Sequence, residues 1–216
     1  MLNEKRKARI DEILRRKQPD LQIFLDDVHS SQNNSAILRS ADAVGVLNLY
    51  CSNKANLDIK IHKTITQGAH RWVGRERVDY DQRVDMIISK RSDGMQVIVT
   101  ALDDHAVSFR EVDFTKPTLL VVGNEKEGVS KEVIALADQT IIIPMMGMVQ
   151  SLNVSVATAI TLYEAQRQRE EAGMYAQSCL SEEEIALIKD AWLYRDSVAR
   201  RSKGNIPTKA KLWEDW

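Results

Sequence analysis

The chain of 216 residues has little cysteine, proline, glycine or aromatic content: two Cys, four Pro, nine Gly and 6% Phe, Trp and Tyr combined. Each shortage excludes something. Cys51 and Cys179 lie far apart and neither sits in a CxxC pair, which argues against a disulfide scaffold and for a reducing, cytoplasmic setting. His29, His62, His70 and His105 show no HExxH or Cys/His ligand spacing, so no metal site is expected. The glycines never fall as GxGxxG, and neither GxxxxGK[ST] nor GxSxG occurs, which disfavours dinucleotide binding, nucleoside triphosphate chemistry and a serine nucleophile elbow. No run approaches the ~20 apolar residues of a membrane span. The first 17 residues are too charged for a secretory signal.

What is present is a 44% hydrophobic content, enough for the core of one main domain with small appendages. The net charge of −1 hides an uneven distribution. Residues 1–17 hold seven cations (Lys5, Arg6, Lys7, Arg9, Arg15, Arg16, Lys17) against three carboxylates, and residues 195–211 hold six against one. The body between them is acidic. Basic ends on an acidic body suit a protein that grips a polyanion, although two solvated surface helices would read the same way.

Hydrophobic periodicity predicts a helix over 3–17 capped by Asn3, a strand over 21–28, a helix over 34–44 closed by Gly45, and a strand over 46–51. Residues 52–80 are ambiguous, with a short helix near 65–70 and a strand near 72–78. A helix over 81–92 stops at Gly94. The runs 97–99, 119–122 and 141–143 are continuously apolar, as in strands buried on both faces of a parallel sheet. Helices over 131–137 and 152–171 follow, the second with Leu152, Val156, Ile160 and Tyr163 on one side. A linker over 173–180 and a helix from a Ser181/Glu184 capping box to about residue 201 complete the reading. The fold class is α/β, a mostly parallel sheet flanked by helices. The expected division is a basic N-terminal helix (1–18), a catalytic domain (19–172) and a C-terminal helical extension (173–216).

Ligands of such sheets bind at the carboxyl ends of strands, and the loops there carry unusual residues. After the first strand come His29-Ser-Ser-Gln-Asn33-Asn34 and then Arg39. After 119–122 comes Gly123-Asn-Glu125-Lys-Glu-Gly128. After 141–143 comes Pro144-Met-Met-Gly147-Met-Val-Gln150-Ser151-Leu152-Asn153. Asn33, Asn34, Ser151 and Asn153 serve equally as helix caps, and Arg39 as a surface arginine. The last loop is apolar, with three methionines, and would suit a flat adenine and a sulfonium methyl.

These three segments resemble the three motifs of the SpoU (SPOUT) class of RNA 2′-O-ribose methyltransferases: Asn33 to Gly45, Val122 to Gly128, and Ile142 to Ser155. The resemblance spans about residues 5–175. It is nearest to the subgroup that methylates guanosine 18 in the tRNA D-loop, through the basic first helix and the stretch Tyr163 to Arg169. It implies a homodimer, a C-terminal trefoil knot over about residues 118–160, and S-adenosylmethionine as cofactor. By resemblance the cofactor cages include Thr100, Leu102, Gly123, Ile143, Met145 and Leu152, and the catalytic positions are Asn33, Arg39, Glu125, Ser151 and Asn153. The subgroup's RNA contacts would fall on Arg6, Arg9, Arg16, Lys17, Arg167 and Arg169. Residues 52–80 and the tail from 178 match less closely, apart from 199–207, which is similar to a family end segment. Alternatives within the class are ribosomal RNA or another tRNA nucleotide as target. Alternatives outside it are a non-catalytic RNA-binding protein or a small-molecule methyltransferase. A guanidinium with a pKa above ~12 is a poor base, so Arg39 reads as a phosphate clamp and alkoxide stabiliser rather than the proton acceptor.

Overall fold

The computed structural model describes residues 4–201, with side chains through 195. The expected cap Asn3, the basic side chains beyond Arg195 and the segment 202–216 lie outside the described residues.

The elements run α1 (Glu4–Leu14), β1 (Leu21–Asp26), α2 (Ser31–Ala43), β2 (Asn48–Ser52), α3 (Lys63–Thr66), a 3-10 turn (Ala69–Arg71), β3 (Gly74–Arg77), α4 (Arg83–Ser92), β4 (Gln96–Thr100), β5 (Val107–Ser108), a second 3-10 turn (Phe109–Glu111), β6 (Thr118–Gly123), α5 (Lys131–Ile134), β7 (Gln139–Ile142), α6 (Val154–Glu171) and α7 (Glu182–Arg201). The strands form one seven-stranded sheet, ordered β3-β2-β1-β6-β4-β7-β5, and every adjacent pair is parallel. Thr118 to Gly123 is buried throughout, which is why the central strands read as continuous apolar runs. One face packs Ile23, Leu25, Leu120 and Val122 against Ile37, Leu38 and Ala41 of α2 and Leu162 and Ala165 of α6. The other packs Phe24, Val97, Val99, Leu119 and Val121 against Ile87 of α4 and Val133 of α5.

Two differences from the sequence reading bear on the site. Helix α2 starts three residues early because Ser30, not an asparagine, is the cap: its Oγ accepts the Asn33 backbone N–H at 3.2 Å. Asn33 and Asn34 therefore lie inside the first turn. Asn34 is buried, with Nδ2 donating to Val28 O at 3.3 Å, and the Asn33 side chain is left for other partners. In α6 the buried residues are Thr158, Thr161, Leu162, Ala165 and Arg169, while Val156 and Tyr163, grouped on one side in the sequence, are exposed. Threonines can line that side because Thr158 and Thr161 hydroxyls donate to carbonyls four residues back. The two-residue strand β5 was not anticipated, being too short for periodicity to register.

Helices α1 and α7 pack together in a separate apolar cluster. Ile10 and Leu14 of α1 pack with Leu47, Leu180, Ile185, Ile188 and Trp192. Arg15 makes a two-pronged contact with Glu182 at 2.6 and 2.9 Å, and Lys189 reaches Asp11 at 2.8 Å. The expected capping box is present: Ser181 N–H donates to Glu184 and Glu184 N–H to Ser181 Oγ. Residues 173–180 are tied down rather than a loose linker, since the Tyr175 hydroxyl donates to Val44 O at 2.7 Å.

Candidate active site

Strands β1, β6, β4 and β7 are consecutive neighbours, so the segments after Asp26, Gly123, Thr100 and Ile142 emerge side by side on one edge of the sheet. Buried acids and amides lock the first two of these segments together. Asp26 accepts the Ser130 backbone N–H at 2.8 Å. Asn124 Nδ2 donates to Asp27 O at 2.9 Å, and Asn124 Oδ1 accepts from the backbone N–H groups of Lys126 and Glu127. Asn124 and Gly128 exchange backbone hydrogen bonds at 3.0 and 2.9 Å, closing a tight loop. Gly123 permits that closure: a Cβ there would stand 2.2 Å from Val129 N, inside any possible contact.

This frame presents Glu125 to α2. Asn33 Nδ2 donates to Glu125 Oε1 at 2.6 Å, and Asn33 Oδ1 accepts from Asn153 Nδ2 at 3.1 Å. Asn153 in turn caps α6, its Oδ1 accepting from Ser155 N–H at 2.9 Å and Ser155 Oγ at 2.6 Å. One asparagine thus joins three segments separated by some ninety and one hundred and twenty positions of chain. Its amide is suited to the task because it donates to a carboxylate with one end and accepts from an amide with the other.

Residues 20–163 match the SpoU rRNA methylase family. The chain belongs to that family. A relative from Aquifex aeolicus, a tRNA (guanosine(18)-2′-O)-methyltransferase, is 52% identical over 93% of this chain and 94% of its own. The Escherichia coli protein of the same description is 47% identical over 98% of this chain and 97% of its own. The crystal structure of the A. aeolicus TrmH/SpoU tRNA modifying enzyme superposes with a TM-score of 0.86 at 53% identity, covering 89% of this chain and 97% of that one. A more distant SpoU methyltransferase, AviRb from Streptomyces viridochromogenes, solved with the cofactor AdoMet, gives a TM-score of 0.62 at 32% identity over 71% of this chain and 62% of its own. As a SpoU family member the chain is an RNA methyltransferase.

Among the other residues picked out from the sequence, Arg39 is exposed and stands apart from the trio. It is six residues beyond Asn33, which places it ~120° away around α2, and its Nη1 donates to Ile65 O at 3.5 Å. Ser151 is exposed in the loop before α6. The six positions expected around a cofactor cluster at the ends of β4, β6 and β7 or in the loop beyond: Thr100 with its Oγ1 donating to Val121 O at 3.3 Å, Leu102 exposed, Gly123 buried, and Ile143, Met145 and Leu152 half-buried. Near them Met146 is 96% and Met148 100% exposed, an apolar wall left in water.

The cations expected to meet RNA divide. Lys17 and Arg169 are enclosed at 1% and 0% exposure and are corrected to structural residues. Lys17 Nζ donates to Asp42 at 2.9 Å and Val46 O at 3.1 Å. Arg169 donates to Asp20 at 2.6 Å, Gln18 at 3.0 Å, Phe114 O at 2.9 Å and Lys116 O at 3.0 Å. Helix spacing alone could not distinguish such a buried clamp from a surface charge. Arg9 and Arg16 share Glu12, Arg167 lies between Glu164 and Glu171, and Arg6 stands 5.7 Å from the Trp72 ring. The sequence reading gave no role to Asp26, Asp27 or Asn124. The available signal was a pair of carboxylates at the end of an apolar strand, which only a buried hydrogen-bonding task accommodates.

Among the described residues no helix is long and apolar enough to cross a membrane.

Proposed function

We propose that the protein methylates a tRNA ribose at its 2′-hydroxyl, with guanosine 18 of the D-loop as the target and S-adenosylmethionine as the methyl source. The observation that carries this is the pair of Asn33 hydrogen bonds joining all three motifs at the carboxyl edge of the sheet. The named activity of relatives about half identical over nearly the full chain supports the nucleotide.

The residues at the edge fit the cofactor. Thr100, Gly123, Ile143, Met145 and Leu152 offer backbone and apolar side chains without a fixed charge, and the bared methionines and Leu102 supply the wall that a flat adenine needs. When bound, S-adenosylmethionine supplies an electrophilic methyl carbon whose leaving group departs neutral. The protein's part is to hold the ribose oxygen in line and ease the loss of its proton. Glu125, oriented by Asn33, is placed to accept hydrogen bonds from a ribose. Asn153 ties the third motif to the first, and Ser151, exposed in the same loop, is available to the substrate. Arg39 clamps the adjoining phosphate and stabilises the developing alkoxide.

A second copy completes the site in this reading. Arg39 and Asn33 lie ~120° apart around α2, which favours their serving the sites of different subunits. Val149 and, on α6, Val156 and Tyr163 leave apolar side chains uncovered, which supports a homodimer. We infer a knot over about residues 118–160, a reading supported by β7 lying between β4 and β5 and by α6 packing back on α2.

Mass mapping of ribose methyls on tRNA after incubation with the protein and S-adenosylmethionine tests the proposal. A methyl on guanosine 18, absent with Arg39→Ala while cofactor binding persists, is the expected result. Methylation confined to ribosomal RNA, or full activity of Arg39→Ala, would overturn it.

A further inference from the structure

The loop that carries Glu125 begins and ends on a single residue. In the sheet Asp26 lies opposite Gly123, the last residue of β6. At the far end of the loop the Ser130 backbone N–H donates to Asp26 Oδ2 at 2.8 Å. Asp26 is fully buried, and a carboxylate so enclosed needs a partner. Arg83 of α4 provides one: it too is buried, and its Nε lies 3.6 Å from Asp26 Oδ1. The guanidinium is held from other sides as well. Nη1 donates to Tyr80 O, Nη2 donates to Glu132 at 3.3 Å, and the central carbon stands 3.7 Å from the centre of the Tyr80 ring. Tyr80 is tied in turn to the loop after β2, its backbone N–H donating to Asn56 Oδ1 at 2.7 Å.

This joint differs from the one around Arg169. Arg169 donates a hydrogen bond from each of its three nitrogens. At Asp26 the match is incomplete: Asp26 Oδ1, Arg83 Nε and Ser130 Oγ are buried without a hydrogen bond, as is Oγ of Ser52, the register partner of Asp26 on β2. Each unmet group costs free energy, so a joint serving stability alone would be expected to close them. Polar groups kept at that cost directly behind a reactive loop serve geometry.

We infer that Asp26 and Arg83 are positioning residues for methyl transfer: together they set the place of the Glu125 loop, so that the carboxylate oriented by Asn33 is presented to the ribose at a fixed depth. The inference rests on the reading of the protein as a tRNA methyltransferase and adds what holds its carboxylate in place. Neither residue touches substrate; both act through Glu125. Because the two ends of the loop share one anchor, a shift of Asp26 carries Gly123 and Ser130 with it, and a displacement of ~1 Å at a reacting group costs about 10²-fold in rate.

The test is a double-mutant cycle on the full chain, with Asp26→Asn and Glu125→Gln made singly and together, and Arg83→Lys as a second way into the same joint. Asp26→Asn keeps an oxygen for the Ser130 N–H and loses the charge that faces Arg83. The readouts are the single-turnover methylation rate on a tRNA transcript, KM for tRNA, and amide hydrogen exchange across residues 124–130. The joint predicts a rate lowered about tenfold or more by Asp26→Asn, with KM changed less than about twofold. In the Glu125→Gln background the same substitution lowers the rate by less than about twofold, because the group it positions is already disabled. Exchange over 124–130 rises relative to that of α6. Arg83→Lys gives the same pattern and carries the test if Asp26→Asn fails to fold. Equal loss in both backgrounds, which is the mark of a general structural role, or a parental rate in both Asp26→Asn and Arg83→Lys, would overturn the inference. A parent inactive on tRNA whose loop still exchanges faster in Asp26→Asn would overturn the functional reading, and the catalytic role of the joint with it, while the anchoring of the loop would stand.

Discussion

The loop from Ile143 to Asn153 and the joint around Lys17 and Arg169 reverse the usual distribution of side chains. The loop leaves methionines almost wholly in water, while the joint encloses a lysine and an arginine almost wholly in protein. Each is costly unless something compensates. In the joint the compensation is internal: Arg169 satisfies its guanidinium on Asp20, Gln18 and two carbonyls, and cross-links the end of α6 to the start of β1 and to the segment before β6. In the loop nothing within one subunit compensates among the described residues, and in the proposed reading the covering arrives as cofactor, substrate or second subunit. Unusual residues thus mark architecture where their partners are already present, and a site where they are still to come.

The sharpest way to break this comparison is Arg169→Ala. Removing one partner from a buried ionic joint leaves Asp20 and the carbonyls unsatisfied, and urea unfolding should show a loss of about 3–5 kcal/mol. A loss under about 1 kcal/mol would mean that the joint is not the structural clamp described. Asn33→Ala comes next and acts on the opposite region. Its contacts are exposed, so stability should fall by less than about 1 kcal/mol, while loss of the link among the three motifs lowers kcat about 10²-fold. Single-turnover rates beside a melting curve distinguish the two readouts.

His70 gives a smaller effect with a definite sign. Burial holds its folded pKa at about 4, below the ordinary 6.5, so between these values the unfolded chain binds more protons. Stability is therefore full at neutral pH and is lost as pH falls from about 6.5 toward 4. Solvent screening of a half-buried group limits this to about 1 kcal/mol. His70→Gln should flatten that part of the stability–pH curve, and an unchanged slope would remove His70 as its source. The smallest folding effect belongs to Met146→Ser/Met148→Ser. Side chains already in water contribute little to the fold of one chain, and a stability change within about 0.5 kcal/mol is expected, with a rise in the cofactor or subunit dissociation constant as the measurable consequence.

Most of the sheet was legible in the sequence because β4, β6 and β7 are short unbroken apolar runs between helical segments, and that pattern belongs to strands covered on both faces. The site was legible as three motifs but not as one object. Nothing local in Asn33, Glu125 or Asn153 distinguishes a cap or turn residue from a hydrogen-bonded hub. The cap of α2 went to Ser30, and that displacement by three residues is what freed the Asn33 side chain. The buried side of α6 was not legible either: its threonines satisfy their hydroxyls on their own helix and pack as apolar residues would, leaving Val156 and Tyr163 outside.

By itself the sequence determined the alternation of strands and helices, the cap at Ser181, and the three motif segments, since each depends on residues close together in the chain. Tertiary structure alone decided which charges are buried, which methionines are bare, and that Asn33 meets both Glu125 and Asn153. Those outcomes depend on which distant groups arrive at the same place. Burial and hydrogen bonding are properties of a neighbourhood, and the neighbourhood exists only once the sheet has brought its strand ends together.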